Sequence, residues 1–210
     1  MSLLSLGDLK KIESMDNIFQ DLIVGEYVLL RKVDITDAED IFKWRSGYSG
    51  RFLRQPENYS VEGQKKWIES RGPDEINYII LDKKTEQKVG SISIYDVNHA
   101  DKVSNVGRLL LSEEFLKVSN PYGLEALLLT YDYVLNKMDF RKITGDIAGA
   151  NVPVFKLQKF LGMKQEGLLE KHVLIAGEYQ DLYIMSIFKD GFNNLYKKKI
   201  GFLLKGFKTA

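Results

Sequence analysis

VSNVGRLLLS, residues 103–112, and NPYGLEALLLTYDYVLNKM, residues 120–138, are the two stretches on which the reading of the fold turns. The first is rich in Val and Leu and predicts a strand over 103–112. In the second, Leu124, Leu127, Leu128, Tyr131 and Leu135 recur at helical spacing, which predicts a helix over 121–138. Asn120 is placed to cap it. Pro121 suits its first turn, where φ is already helical and a missing N–H leaves no carbonyl unpaired.

Working outward, residues 26–33 (EYVLLRKV) read as a strand, and Thr36 with Glu39 as a capping box opening a helix over 37–45. Residues 46–50 break that helix, and a second short one is expected over 60–70. Residues 76–82 and 88–96 form a hairpin across the polar turn 83–87, so that with 103–112 they make an antiparallel meander. Downstream come a short strand, 143–148, and a helix, 152–160, stopped by Gly162. A final hairpin, 164–175 with 178–189, turns at Ala176-Gly177. The order β, α, α, β, β, β, α, β, α, β, β places the chain in the α/β (α+β) class.

With 210 residues and 44% hydrophobic content, the chain can bury one core of catalytic size, roughly 150–170 residues. We divide it into an N-terminal extension (1–24), a catalytic domain (25–190) and a basic amphipathic tail (191–210). The 30 Lys and Arg against 29 Asp and Glu leave a net charge of +1, which argues against a nucleic-acid partner. Without Cys, disulfides, thiolate zinc sites and an acyl-cysteine intermediate are excluded. His99 and His172 belong to no ligand-spaced cluster, so no metal is expected. Asp8, Lys10, Lys11, Glu13 and Asp16 interrupt the amino terminus. That pattern is not a signal peptide, no apolar run is long enough for a membrane span, and a cytoplasmic location is expected. The tail mixes Lys197, Lys198, Lys199, Lys205 and Lys208 with Phe192, Tyr196, Ile200, Phe202, Leu203, Leu204 and Phe207. It reads as a terminal helix packing on its own domain or on a second copy, with peripheral contact to an anionic membrane as the alternative. Monomer and homodimer are both compatible with the sequence.

The element order resembles the GNAT N-acetyltransferase superfamily. Val106 to Leu111 resembles that family's fourth strand, and Tyr122 to Leu127 the end of its cofactor loop and the start of the following helix. Asn151 with Phe160-Leu161-Gly162-Met163 resembles its N-x(10)-G-F signature, with Met for Phe. The resemblance covers residues 26–188. It implies a mixed central sheet of about seven strands flanked by about four helices, here with an extra C-terminal helical tail. It also implies acetyl-CoA as co-substrate, no metal, and transfer to an amine. Trp44-Arg45 and Trp67 resemble enzymes that acetylate the amino group of a nucleotide-linked sugar. The ribosomal-protein type, which acetylates protein amino termini, shares the layout and stays open, as does a catalytically silent binding module.

The resemblance also assigns residues. Leu110, Leu111 and Ser112 would offer a strand edge to the cofactor arm, with backbone N–H groups near Leu110 and Leu111 as oxyanion donors. Val118, Ser119, Asn120, Tyr122, Gly123 and Leu124 would form the pyrophosphate loop and helix start, Asn151 would bond the arm, and Lys159 would reach the nucleotide phosphates. The family's Q/R-x-x-G-x-G/A loop is altered, since Val118 replaces the basic residue and Pro121 the middle glycine. Without Cys the transfer is direct. The family's acid positions hold Gln158 and Val154, neither of which is an acid, and Tyr95 or Tyr179 is left as a phenol from elsewhere. Asn105 stands where a basic Glu is common and can only orient a substrate or water, so Asp96 and His99 are the candidate bases. Trp44, Arg45, Tyr95 and Arg108 are the expected acceptor-binding residues; an arginine can grip a phosphate or carboxylate bidentately.

Overall fold

Strand residues that alternate between two buried faces build the molecule, a computed structural model that describes residues 20–57, 59–117 and 119–207. Val118, Lys208 and residues 1–19 lie outside the described residues. The strands are β1 (Leu22–Val24), β2 (Val28–Lys32), β3 (Ile76–Asp82), β4 (Lys88–Asn98), β5 (Val103–Leu111), β6 (Lys142–Ala148), β7 (Lys164–Ile175) and β8 (Glu178–Phe188). They form one sheet in the order β1-β2-β3-β4-β5-β6-β8-β7. All pairings are antiparallel except β5 with β6, which is parallel. The expected mixed α/β sheet is therefore present, with β1 as an eighth strand at the edge. That strand is only three residues long, too short to show an alternation.

One sheet face carries Val28, Leu30, Tyr78, Ile80, Ile92 and Ile94, all fully buried. They pack under helix α3 (Tyr122–Asp132), whose Ala126, Leu127 and Tyr131 join the same core. The helix continues through a π-turn, Tyr133–Lys137, to Met138, the expected end. Helix α4 (Val152–Leu161) closes the same face and ends at Gly162 in the left-handed region (φ 117°), a backbone conformation open to glycine at little cost. On the opposite face, α1 (Ala38–Ser46) and α2 (Val61–Glu69) cover Ile79 and Leu110 with Ile41 and Trp44.

The tail belongs to the main core. Phe192, Tyr196 and Ile200 are fully buried along a π-turn and helix α5 (Lys197–Lys205), and Tyr196 stacks on Tyr131 with centroids 4.9 Å apart. Each such side chain contributes about 1.5–3 kcal/mol. Packing on its own domain is thus the arrangement of this helix. Among the described residues no helix is long and apolar enough to cross a membrane.

Two buried carboxylates fix the helices to the sheet. Glu125, in the first turns of α3, accepts the backbone N–H groups of Glu26 (2.8 Å), Tyr27 (2.7 Å) and Val28 (2.8 Å), pinning the β1–β2 turn. Asp37, also buried, takes Arg31 through two bonds (2.9 and 3.1 Å) and Lys88 at 2.7 Å. It accepts the Asp34 N–H (2.8 Å), while Asp34 accepts that of Thr36 (2.9 Å). The capping box at this helix start is therefore Asp34 with Asp37, not Thr36 with Glu39. Arg31 and Lys88 draw the Asp37 carboxylate under the sheet, which sets the cap two residues earlier.

Glu125→Gln leaves at least one buried N–H facing an amide NH2 and is expected to cost about 2 kcal/mol, read as a lower urea midpoint at unchanged slope. Burial opposes ionisation of Asp37, but hydrogen bonds from Arg31, Lys88 and the Asp34 backbone outweigh it and hold its carboxyl below the usual range. Its stabilisation is accordingly present above the unfolded pKa of ~3.9 and lost as pH falls through the lower folded value. Asp37→Asn is expected to cost about 3 kcal/mol at neutral pH and to flatten the acid limb of stability against pH.

Candidate active site

Strands β5 and β6 pair over only three positions, Val103 with Lys142, Ser104 with Ile143 and Asn105 with Thr144. Beyond them β6 runs on against β8, while β5 follows β4 through a bulge that jumps from Ser93↔Gly107 to Ser91↔Leu110. Arg108 sits in that bulge with φ 52°, a strained conformation for a non-glycine residue. The parted strands open a narrow cleft of about 180 Å³ between Val106–Leu109 and Gly145–Ala148, floored by Leu127, Tyr131, Gln158, Met163 and Met185. The loop after α1 covers it with Ser49, Phe52 and Leu53. The Leu111 N–H, on the edge that β6 has left, donates to the Ser49 hydroxyl at 2.8 Å.

A wider cavity of about 570 Å³ lies on the other face of β5, among α1, α2, β3 and β4. Arg45, Tyr59, Gln64, Lys66, Trp67, Asn77, Ser91 and Ser93 line it, and Arg108 lines both cavities. Glu75 holds that arginine: Arg108 donates to it at 2.6 Å, Asn77 at 3.1 Å and Arg71 at 3.2 Å. The Arg108 guanidinium lies 3.9 Å over the Tyr95 ring and Arg71 4.8 Å over Trp67, so α2 and the bulge are clasped together. Arg45 donates to the Arg54 carbonyl at 2.5 Å, but its buried Nε has no partner. A buried unpaired donor costs about 1–3 kcal/mol unless a ligand satisfies it.

Asp96 accepts from Asn105 at 2.7 Å, and the Thr144 hydroxyl donates to Asn105. This chain of polar groups crosses β4, β5 and β6 where the strands begin to part. Just beyond it, Asp146 borders the cleft. Burial, then the negative charge of Asp96, push the Asp146 carboxyl above its usual range, against the pull of Arg108, Arg54 and His172. Burial, reinforced by Asp146, lifts the Tyr95 phenol to about 12, and its hydroxyl lies beside Gly107.

Of the expected residues, Arg45, Arg108 and Asn151 line the two cavities, and Tyr95, Asp96, Asn105 and Leu111 adjoin them through Arg108, Asp146, Thr144 and Ser49. Asn151 begins α4 without a capping bond from its side chain and borders the cleft. Leu110 turns its side chain into the wide cavity, and its backbone registers with Ser91 of β4. Ser112 bonds back to Val89. Asn120 caps the Tyr122 N–H at 3.1 Å, Gly123 is buried against Leu109 and Leu111, and Leu124 packs on the core. Ser119 and Lys159 are exposed, the latter 5.4 Å from the Phe155 ring. His99 stands apart: β4 runs on to Asn98 and carries it to a separate hollow, edge-on to Phe140. Trp44 is a core residue beneath α1, and it is Arg45 that reaches the cavity. Sequence reasoning missed Asp146, Glu75, Gln64, Asn77 and the serine pair. Ser91 and Ser93 did carry a signal, small polar residues two apart on an otherwise apolar central strand.

Residues 28–164 match the family model described as acetyltransferase (GNAT) domain. Among curated relatives, "Probable N-acetyltransferase YjcK" of Bacillus subtilis (strain 168) is 24% identical over 179 residues, 79% of this chain and 96% of that protein. Among solved structures, a GCN5-related N-acetyltransferase from Brucella melitensis superposes with TM-score 0.73 at 18% identity, covering 89% of this chain and 86% of that one. A SpeG spermidine N-acetyltransferase mutant from Vibrio cholerae gives 0.70 at 18%, covering 81% and 98%.

The Asp146 carboxyl should respond in opposite senses to its two neighbours. Arg108→Ala is expected to raise its pKa further and Asp96→Asn to lower it, both read by carboxyl carbon NMR titration; shifts in the same sense would show the three groups are not coupled as described.

Proposed function

This chain belongs to the GNAT acetyltransferase family, and we propose that it transfers the acetyl group of acetyl-CoA directly onto the primary amine of a small molecule, with a nucleotide-linked amino sugar as the acceptor class. The observation that carries this reading is the meeting, at Arg108, of a narrow cleft and a wide cavity that places Arg45 and Lys66 among apolar walls.

The residues of the cleft fit the co-substrate. Parting of β5 and β6 leaves a strand edge for the amides of an extended arm, and the Leu111 N–H on that edge donates to a hydroxyl oxygen, that of Ser49, which an arm binding there would displace. The Asn151 side chain is free of its helix. In the first turn of α3, the N–H groups of Gly123 and Leu124 have no carbonyl within the helix to bond, which suits a pyrophosphate. When bound, acetyl-CoA supplies a thioester-activated acetyl group. The acceptor nitrogen bonds to the acetyl carbon as the C–S bond breaks, sulfur keeps the electron pair, and nitrogen sheds its surplus proton. Asp146 is the carboxylate suited to take that proton, since burial, and then the negative charge of Asp96 held by Asn105, raise its pKa and make it a better base than an ordinary carboxylate.

The wide cavity selects the acceptor. Arg108 and Glu75 neutralise each other, which leaves Arg45 and Lys66 against the single carboxylate of Glu57. A polyamine such as the spermidine of the Vibrio cholerae enzyme's name would meet net repulsion, as would a basic peptide terminus. A phosphate-bearing amine would satisfy Arg45. A small-molecule partner in the cytoplasm is consistent with this reading.

Acetyl-CoA is expected to raise the melting temperature, and CoA release should be fastest with nucleotide-linked amino sugars in a panel that includes free amino sugars, spermidine and a basic peptide. Absence of both effects would end the acetyl-transfer reading, and preference for spermidine would end only the acceptor assignment. Asp146→Asn is expected to lower kcat/KM by about 10²-fold and to abolish the acid limb of the pH profile. Arg45→Ala is expected to raise KM for the phosphate-bearing acceptor by about 10-fold with kcat little changed.

A further inference from the structure

Helix α4 presents Leu161 to the core and, one turn earlier, Gln158, a buried amide only 6% exposed. Gln158 forms part of the cleft floor among Leu127, Tyr131, Met163 and Met185, where an apolar side chain of equal length would pack at less cost. Its carbonyl oxygen accepts the hydroxyl of Tyr196 at 3.0 Å. Tyr196 comes from the C-terminal segment, is fully buried, and stacks on Tyr131 of the cleft floor. Burial, with Tyr131 nearby, keeps its phenol far above the usual range, so it remains a neutral O–H donor. With the oxygen of the planar amide fixed, the NH2 on its other arm is oriented as well. That nitrogen has no hydrogen-bond partner among the described residues and is not sealed from solvent, and Gln158 borders the cleft, whose open volume is the space available to a partner for it.

Resting on the acetyl-transfer reading, we infer that the Gln158 amide donates a hydrogen bond to the departing sulfur of CoA and that Tyr196 is the positioning residue that aims it. The amide keeps its proton. It stabilises the electron pair that sulfur receives as the C–S bond breaks, CoA leaves as the thiolate and is protonated by water, and the proton shed by the acceptor nitrogen goes to Asp146. This gives the C-terminal segment a part in the chemistry that its sequence, basic and apolar, does not suggest. A neutral donor in a water-poor cleft stabilises developing charge without needing a matched pKa.

The test is the ultraviolet thiolate absorbance of CoA bound to the whole chain, titrated with pH, for the unaltered chain, Gln158→Leu and Tyr196→Phe, with binding of CoA and desulfo-CoA measured by calorimetry. The bound thiol of the unaltered chain should titrate below free CoA. Gln158→Leu should return it upward by about one unit, Tyr196→Phe should give a smaller shift in the same sense, and desulfo-CoA should bind all three equally. In turnover, Gln158→Leu should lower kcat about 10-fold with KM for the acceptor unchanged. Variants that bind CoA yet leave its thiol pKa where it was would overturn the inference and make Gln158 a packing residue. Equal loss of CoA and desulfo-CoA affinity would overturn it too, by placing the amide on another part of the cofactor. Failure of the unaltered chain to bind CoA would instead strike at the acetyl-transfer reading beneath it. Tyr196→Phe keeps the ring and its stacking, so it reports even where Gln158→Leu does not fold.

Discussion

Where β5 and β6 part, after Asn105 and Thr144, backbone N–H and C=O groups lose their partners in the middle of a sheet. Buried backbone polar groups almost always find partners, so a split of this kind persists only if something holds the strands apart and something else occupies the edge. Here β8 holds β6, pairing with all seven of its residues, while the bulge at Arg108 holds β5 to β4. Ser49 occupies the edge at Leu111. Cleft, wide cavity and the arginine between them are all consequences of that split.

The anchoring lies around this opening rather than in it. Glu125 ties the start of α3 to the β1–β2 turn, and Asp37 ties the start of α1 to β2 and β4. On one side of the sheet α3 and α4 form the floor of the cleft; on the other α1 and α2 wall the cavity. The Glu75 cluster joins the second pair of helices to the bulge. Rigid elements thus carry the polar groups, and the strained residue sits where both cavities need it.

The strands and α3 were legible because alternation and helical spacing are local and long enough to read. Three-residue β1 offered too few positions. Thr36 with Glu39 matched a capping pattern, yet two cations from β2 and β4 moved the cap to Asp34 and Asp37, a tertiary effect with no local trace. His99 was misplaced by two residues of extra strand. Asp146 and Glu75 become informative only through the register of β6 with β8 and through Arg108, which sequence spacing does not encode. Gln158 and Tyr196 stand 38 residues apart, and each looks ordinary alone. The cofactor-shaped scaffold was therefore readable, whereas the polar groups inside it depend on long-range pairing.

Phe192, Tyr196 and Ile200 complete the same core that Leu30 and Tyr78 begin. During synthesis the early strands emerge from the ribosome well before the side chains that seal them. Tyr131 in particular waits for Tyr196 as its stacking partner. Domains settle as units, so this one can close only once residues near 200 have cleared the exit tunnel. A nascent chain halted after the final hairpin would carry every strand and still expose the underside of α3. Such a chain would present an apolar surface of the kind chaperones bind until the residues near 200 cover it.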